Sequence, residues 1–292
     1  MNGEILFVKK PLPIKVGVHI SISGSISKSV ERAVSLGCDT YQIFTRNPRG
    51  WKYSPIPKDV IEEFKMRLSE TNINPVVAHM PYLPNLSAPD ESIYEKSVAS
   101  LLAEIERCEQ LEIPYLVTHL GSHRGRGWEA GARQLVKALE KGVSLSKHVM
   151  ILLENTAGTK NSMGTTFEEI RRIMDRLTDL THIGVCFDTC HAFAAGYELR
   201  TEVAVERVME KFDNEIGLKF LKLIHLNDSV GELGSHLDRH EHIGLGKIGV
   251  KGFRAILKNR IIRSRPLILE TPVDKRRGDR ENIQTVRELA RS

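Results

Sequence analysis

The densest run of chemistry-bearing residues lies between Leu223 and Gly249, LIHLNDSVGELGSHLDRHEHIGLGKIG. His225 sits at the end of a short apolar run, and Asp238 and His240 follow in a polar, Gly-rich loop. A carboxylate and an imidazole two residues apart on an extended loop can turn to one metal ion, while a strand-end His reaches another. Oxygen and nitrogen donors of this kind suit zinc, manganese or iron. The pattern recurs along the chain. Apolar runs end in His79, His119, Glu154, Asp188 and Glu270, and His191 stands three residues after Asp188. Four of these nine candidates are carboxylates. Gathered in a low-dielectric site they would repel one another, and their pKa values would rise, unless cations sat among them. Nine donors exceed the three or four that one zinc takes, so two or three ions are expected.

These residues need elements to carry them. Eight apolar, β-branched runs punctuate the chain: 16–20, 40–45, 75–79, 115–120, 150–154, 183–188, 223–228 and 266–271. Continuous apolar runs fit parallel strands buried on both faces. Helical patterns fill the intervals. Val98, Leu101, Leu102, Ile105 and Cys108 share one helix face, as do Val205, Val208, Met209 and Phe212. Thr166 with Glu169 reads as a capping box, and Gly37 as a helix-ending residue. Eight strand-then-helix units predict an α/β fold, a single (β/α)8 TIM barrel with its chemistry at the carboxyl ends of the strands. An open doubly wound sheet is the alternative, but the Gly-rich turn of a dinucleotide site is missing after the first run. One domain, residues 14–292, is expected, with residues 1–13 as an appendage and a charged loop near Lys275–Arg280 before the last helix.

Of the 292 residues, 41% are hydrophobic and 27% charged, an ordinary globular composition that can bury a sizeable core. No run approaches a membrane span and the N-terminus lacks a signal-peptide pattern, so no membrane partner and a cytoplasmic location are expected. Cys38, Cys108, Cys186 and Cys190 form no CxxC pair and read as reduced, buried thiols. The net charge of +5 permits a polyanionic partner without naming one. A lone strand-end His is more often a hydrogen-bonded structural residue than a ligand. His19, His123, His236 and His242 are therefore assigned no role, although His123 could face the site, and Asp228 reads as a turn-fixing carboxylate.

At these residues the chain closely resembles the endonuclease IV family of apurinic/apyrimidinic endonucleases. The matching stretches include Val18-His19-Ile20-Ser21, Ala78-His79, His119-Leu120-Gly121-Ser122-His123 and Glu154-Asn155-Thr156-Ala157-Gly158. They continue with the CFDTCHAFAAGY run from Cys186 to Tyr197, His225-Leu226-Asn227-Asp228, Asp238-Arg239-His240 and Leu269-Glu270-Thr271. They run in order from about Lys15 to the last helix. The resemblance implies three zinc ions per chain, with manganese also suited to these ligands. His79, His119 and Glu154 would hold the first. Glu154 would bridge to a second held with Asp188, His225 and Glu270, and His191, Asp238 and His240 would hold the third.

It further implies cleavage of duplex DNA on the 5′ side of abasic sites, leaving a 3′-hydroxyl and a 5′-deoxyribose phosphate, and removal of 3′-blocking groups. Glu154 and Glu270 would be the catalytic carboxylates, with Glu270 orienting the attacking water. Arg49, Tyr82 and Leu83 would enter the duplex at the lesion, and a monomer is the expected state. Two features depart from the family pattern: the loop Gly158-Thr159-Lys160-Asn161-Ser162, and Val230 and His236 where basic residues are expected. The competing reading is a xylose isomerase-like sugar isomerase or epimerase. Such enzymes hold one metal with a set resembling Glu154, Asp188, His225 and Glu270, and have no use for the other five donors together.

Overall fold

The computed structural model describes residues 12–291. Strand and helix alternate through the first half: β1 (Lys15–Val18), α1 (Lys28–Leu36), β2 (Tyr41–Ile43), α2 (Lys58–Ser69), β3 (Val76–His79), α3 (Glu91–Leu111), β4 (Tyr115–His119), α4 (Trp128–Leu145), β5 (Met150–Glu154) and α5 (Phe167–Met174). The second half runs β6 (Ile183–Asp188), α6 (Thr189–Ala194), α7 (Glu202–Glu215), β7 (Leu221–His225), a small hairpin of β8 (Asp228–Ser229) and β9 (His240–Glu241), then α8 (Gly249–Lys258), α9 (Arg260–Arg263), β10 (Pro266–Leu269) and α10 (Asp279–Leu289). The eight long-range strands pair in parallel in the order β1-β10-β7-β6-β5-β4-β3-β2, and a parallel bridge between His19 and Gln42 joins the two ends. This is the expected eight-stranded α/β barrel. The hairpin β8–β9, inside the loop after β7, was not expected. The appendage anticipated for residues 1–13 lies outside the described residues except for Leu12 and Pro13, and the Leu12 carbonyl accepts two hydrogen bonds from Arg263.

Side-chain alternation sorts the strands into two layers. Outward residues such as Val16, Val18, Tyr41, Ile43, Val76, Ala78, Leu116 and Leu153 join the helices in one large apolar core. Inward residues form a second, separate cluster within the barrel: Val77, Val117, Leu152, Cys186, Leu223 and Ile268. Stacked layers of this kind fill TIM barrels. At Gly17 in β1, a Cβ would lie 1.5 Å from the Thr40 carbonyl oxygen, so only glycine lets β1 approach the segment leading into β2.

The helix signals mostly hold. In α3, Val98, Leu101, Ile105 and Cys108 are buried, while Leu102 is only half-buried at the edge of that face. Gly37 ends α1 at φ 75°, where its N–H reaches back to the last turn. The capping box at α5 is half-formed. The Thr166 hydroxyl accepts from the Glu169 N–H, but Glu169 reaches past Thr166 to accept from Gly164 and Thr165 N–H. No helix among the described residues is long and apolar enough to cross a membrane.

All four cysteines are free and buried. Burial pushes the Cys38 thiol up to about 11 and those of Cys186 and Cys190 up to about 12, so none is a thiolate at neutral pH. A thiol reagent at pH 7 should therefore modify no cysteine rapidly in the native protein and all four after denaturation. Fast native labelling of Cys186, inside the barrel, would contradict this packing.

Candidate metal centre

The inward register continues past the apolar layer. Two residues beyond Val77, Val117, Leu152, Cys186, Leu223 and Ile268 stand His79, His119, Glu154, Asp188, His225 and Glu270. A step of two returns a side chain to the same face of a strand. Six of the nine sequence-predicted donors are thus the next layer up, at the carboxyl ends of the strands. The other three come from loops: His191 from α6, Asp238 from the loop before β9, and His240 from β9 itself. Donor atoms of His79, His119 and Glu154 lie within 4.8 Å of one another. So do those of Glu154, Asp188, His225 and Glu270, and those of His191, Asp238 and His240. Glu154 belongs to two sets. A fourth grouping, Asp188, Cys190 and His240, includes a thiol that burial keeps protonated and that donates weakly to the Arg239 carbonyl, so it is a poor metal ligand.

Hydrogen bonding tests whether these side chains suit cations. A backbone carbonyl can only accept, so the ring nitrogen facing one must carry a proton. His79 Nδ1 faces the Met80 carbonyl at 2.7 Å, His191 Nδ1 that of Asn155 at 2.9 Å, and His240 Nδ1 that of Glu270 at 3.1 Å. In the neutral ring each Nε2 is then a bare lone pair. His79 Nε2 points at Glu154 Oε2 over 3.2 Å and His191 Nε2 at Asp238 Oδ1 over 3.1 Å. His240 Nε2 is buried with no hydrogen-bond partner among the described residues. Lone pairs aimed at carboxylate oxygens repel unless a proton or a cation lies between them. The backbone thus orients three imidazoles as ligands, in the manner of outer-shell bonds around metal sites. The donor set fits divalent metals.

The electrostatics agree. Burial alone would raise the fully buried Glu154 carboxyl, yet facing imidazoles, His225 and His119 foremost, hold it well below the usual range. Burial likewise opposes ionisation of Glu270, but the surrounding imidazoles together, His225 foremost and then His79 and His240, bring it down to about 2. Burial disfavours charge on His191, but Asp188, Asp238 and Glu154 raise it well above an ordinary histidine. Protons on these rings do the charge balancing that cations would otherwise do.

Several supporting residues carry no role from the sequence. Asn155 Oδ1 accepts from the Asp188 N–H, and its amide donates back to the Asp188 carbonyl. Asn227 donates to Asp188 Oδ2 and accepts the Glu270 N–H. Asp188 also caps α6 by accepting from the His191 N–H at 2.7 Å, which couples two ligand sets. Gln42 on β2 donates to Glu270, and His19 at the end of β1 faces the same amide nitrogen at 3.0 Å. The expected turn-fixing role of Asp228 is present: its carboxylate accepts N–H groups from Ser229, Gly244, Gly246, Ile248 and Gly249 and so closes the loop carrying Asp238 and His240. His123 does not face the site; its Nδ1 accepts from Gly125 and Gly127 N–H. His236 bonds the Ala157 carbonyl, and His242 is buried against Asp274 and Asn282.

The donors open onto a cleft of about 420 Å³ lined by His79, His119, His191, Asp238, His240 and Glu270. Glu154 is wholly buried beneath it. His19, Phe44 and Tyr82 separate this cleft from a neighbouring one of about 530 Å³ that Arg49 lines. Tyr82 and Leu83 are exposed on the rim, and the Tyr82 ring packs edge-on against Phe44 at 5.0 Å. The loop carrying Arg49 is rooted by a buried ion pair. Arg46 Nε donates to Glu104 Oε1 at 2.6 Å, the Thr45 hydroxyl donates to Glu104 Oε2, and Arg46 also donates to the Gly50 carbonyl and Ser100 hydroxyl.

Comparison with known proteins places this geometry. Residues 30–292 match the family model of xylose isomerase-like TIM barrels. The chain is 55% identical over 279 residues to a protein named probable endonuclease 4 from Methanoculleus marisnigri, covering 95% of this chain and 99% of that one. The crystal structure of endonuclease IV from Thermus thermophilus superposes with a TM-score of 0.84 at 36% identity, over 94% of this chain and 98% of that one. A D-tagatose 3-epimerase-like protein shares the fold, with a TM-score of 0.71 at 21% identity over 94% and 97%.

Removing the carboxylate from the buried pair would strand the Arg46 guanidinium. Glu104→Leu should destabilise the protein by about 3–5 kcal/mol, read by denaturant unfolding, because nothing replaces that partner. A loss below about 1 kcal/mol would show that the pair behaves as an exposed one.

Proposed function

The chain belongs to the endonuclease IV family, and from that premise we propose that it hydrolyses the backbone of duplex DNA on the 5′ side of abasic sites. The products are a 3′-hydroxyl and a 5′-deoxyribose phosphate, and the same site removes 3′-blocking groups. Residues 14–292 act as the single catalytic domain. The observation that carries this reading is the sharing of Glu154 between two donor sets, with a third set at the rim. A sugar isomerase of the same fold would use only the four-residue set of Glu154, Asp188, His225 and Glu270. The five further donors favour a phosphodiester, whose cleavage benefits from several cations.

Three zinc ions fit these sets: one with His79, His119 and Glu154, one with Glu154, Asp188, His225 and Glu270, and one with His191, Asp238 and His240. Bound there, they supply a water that ionises near neutral pH and positive charge beside the phosphate oxygens. The protein's own groups divide the remaining work. Glu270 lines the cleft, so its carboxylate can orient the attacking water. Glu154 is sealed from the cleft and contributes by fixing neighbouring ligands. Attack at phosphorus breaks the bond to the 3′-oxygen of the preceding nucleotide. Arg49, which lines the adjoining cleft, enters the duplex beside a backbone phosphate, and Tyr82 and Leu83 present exposed apolar surface to the gap left by the missing base. An abasic nucleotide has no stacking to lose, so displacing it costs less than displacing an intact one.

Metal analysis of the pure protein should approach three divalent ions per chain, and Glu154→Ala or Asp188→Ala should abolish incision of a duplex carrying one abasic site. A single bound ion with full sugar-isomerase activity would favour the competing reading. Arg49→Ala should weaken duplex binding and flatten the slope of log affinity against log salt by about one. A slope identical to wild type would remove Arg49 from the phosphate contacts.

A further inference from the structure

Gln42 has no exposed surface and sits on β2, opposite β1, where the bridge to His19 joins the ends of the barrel sheet. An amide in the barrel interior needs partners for both its ends, and each partner here is a polar group at the proposed metal centre. Its Nε2 donates to Glu270 Oε1 at 2.7 Å and lies 3.0 Å from His19 Nδ1. Its Oε1 lies 2.9 Å from His225 Nε2.

The orientation of this amide follows from chemistry. An ionised carboxylate only accepts, so the nitrogen end of Gln42 must face Glu270. The oxygen end then faces His225, whose Nε2 must carry the proton. That leaves His225 Nδ1 as the lone-pair nitrogen, and it is Nδ1 that lies 3.0 Å from Glu154 Oε1 and 3.3 Å from Glu270 Oε2. His79, His191 and His240 have their free proton held by backbone carbonyls. His225 is held by a side chain, and the same side chain grips Glu270. One substitution at position 42 would therefore release two members of one donor set and leave the other two sets anchored.

We propose that Gln42 is a positioning residue for the ion held by Glu154, Asp188, His225 and Glu270: it selects the His225 tautomer and fixes the Glu270 carboxylate, without touching substrate. This rests on the multi-metal reading above. It also makes Gln42 a selective control, because the amide bonds neither the His79–His119 pair nor the His191–Asp238–His240 set.

The test is zinc release from the zinc-loaded protein to a chromogenic chelator, for wild type, Gln42→Met and Gln42→Glu. Methionine fills a similar volume without the two bonds. Glutamate keeps the size but loses the donor to Glu270, and guards against a methionine variant that does not fold. Both variants should lose one ion roughly 10–100-fold faster than wild type while retaining the other two at wild-type rates. On abasic duplex, kcat should fall and KM stay unchanged. Wild-type release of all ions from both variants would overturn the proposal, as would equal acceleration of all three, which marks a general packing defect. If wild-type protein itself holds only one ion, the metal reading fails before Gln42 is at issue.

Discussion

A buried carboxylate surrounded by imidazoles governs this molecule. Glu154 has no exposed surface, and its two oxygens face His79, His119, His191 and His225 at 3.0–3.4 Å. A charge so far from water is tolerated only when it is paired and hydrogen-bonded. The barrel supplies that pairing from four different elements, so residues far apart in the chain depend on one another electrostatically. Backbone carbonyls hold protons on the far sides of three rings and so aim lone pairs inward. What results is a mutual arrangement of acids and bases that neutral side chains would not reproduce and that divalent cations satisfy.

The barrel makes such crowding geometrically possible. Parallel strands present every second residue to the interior, and all their carboxyl ends lie on one face. An apolar layer from Val77 to Ile268 forms the floor, and the polar layer stands directly above it. Loops add what strands cannot. Asp188 ends β6 and caps α6, which brings His191 back over the site. Asp228 gathers five backbone N–H groups and holds the following loop so that Asp238 and His240 return to the rim. Gly246 belongs to the same closure, since a Cβ there would lie 2.4 Å from the Ser229 carbonyl oxygen.

The fold alone does not choose the chemistry, because an epimerase-like protein superposes on the same barrel. The choice lies in the donor residues at the strand ends and in the rim beside them. Arg49 on a loop rooted by Glu104, with Tyr82 and Leu83 exposed on the next loop, forms a basic and apolar edge beside the donors, as the proposed contact with an abasic duplex requires. A small sugar would need no such edge. The chain-level identity to endonuclease 4 proteins and the rim chemistry point the same way.

By itself the sequence determined the eight strand runs, the ligand types at their ends and the family. Continuous apolar runs and strand-end donors are local signals that survive without coordinates. Alternation even marks Gln42, a polar residue in an otherwise apolar strand, but nothing in a linear chain says which way it faces. The tertiary structure decided the rest. It turned His123 away into its own loop, half-formed the α5 cap, and gave Asn155, Asn227 and Gln42 their partners. Those outcomes depend on distances across the barrel, where residues more than a hundred positions apart meet, and on which end of an amide or ring carries a hydrogen. Spacing along the chain encodes neither.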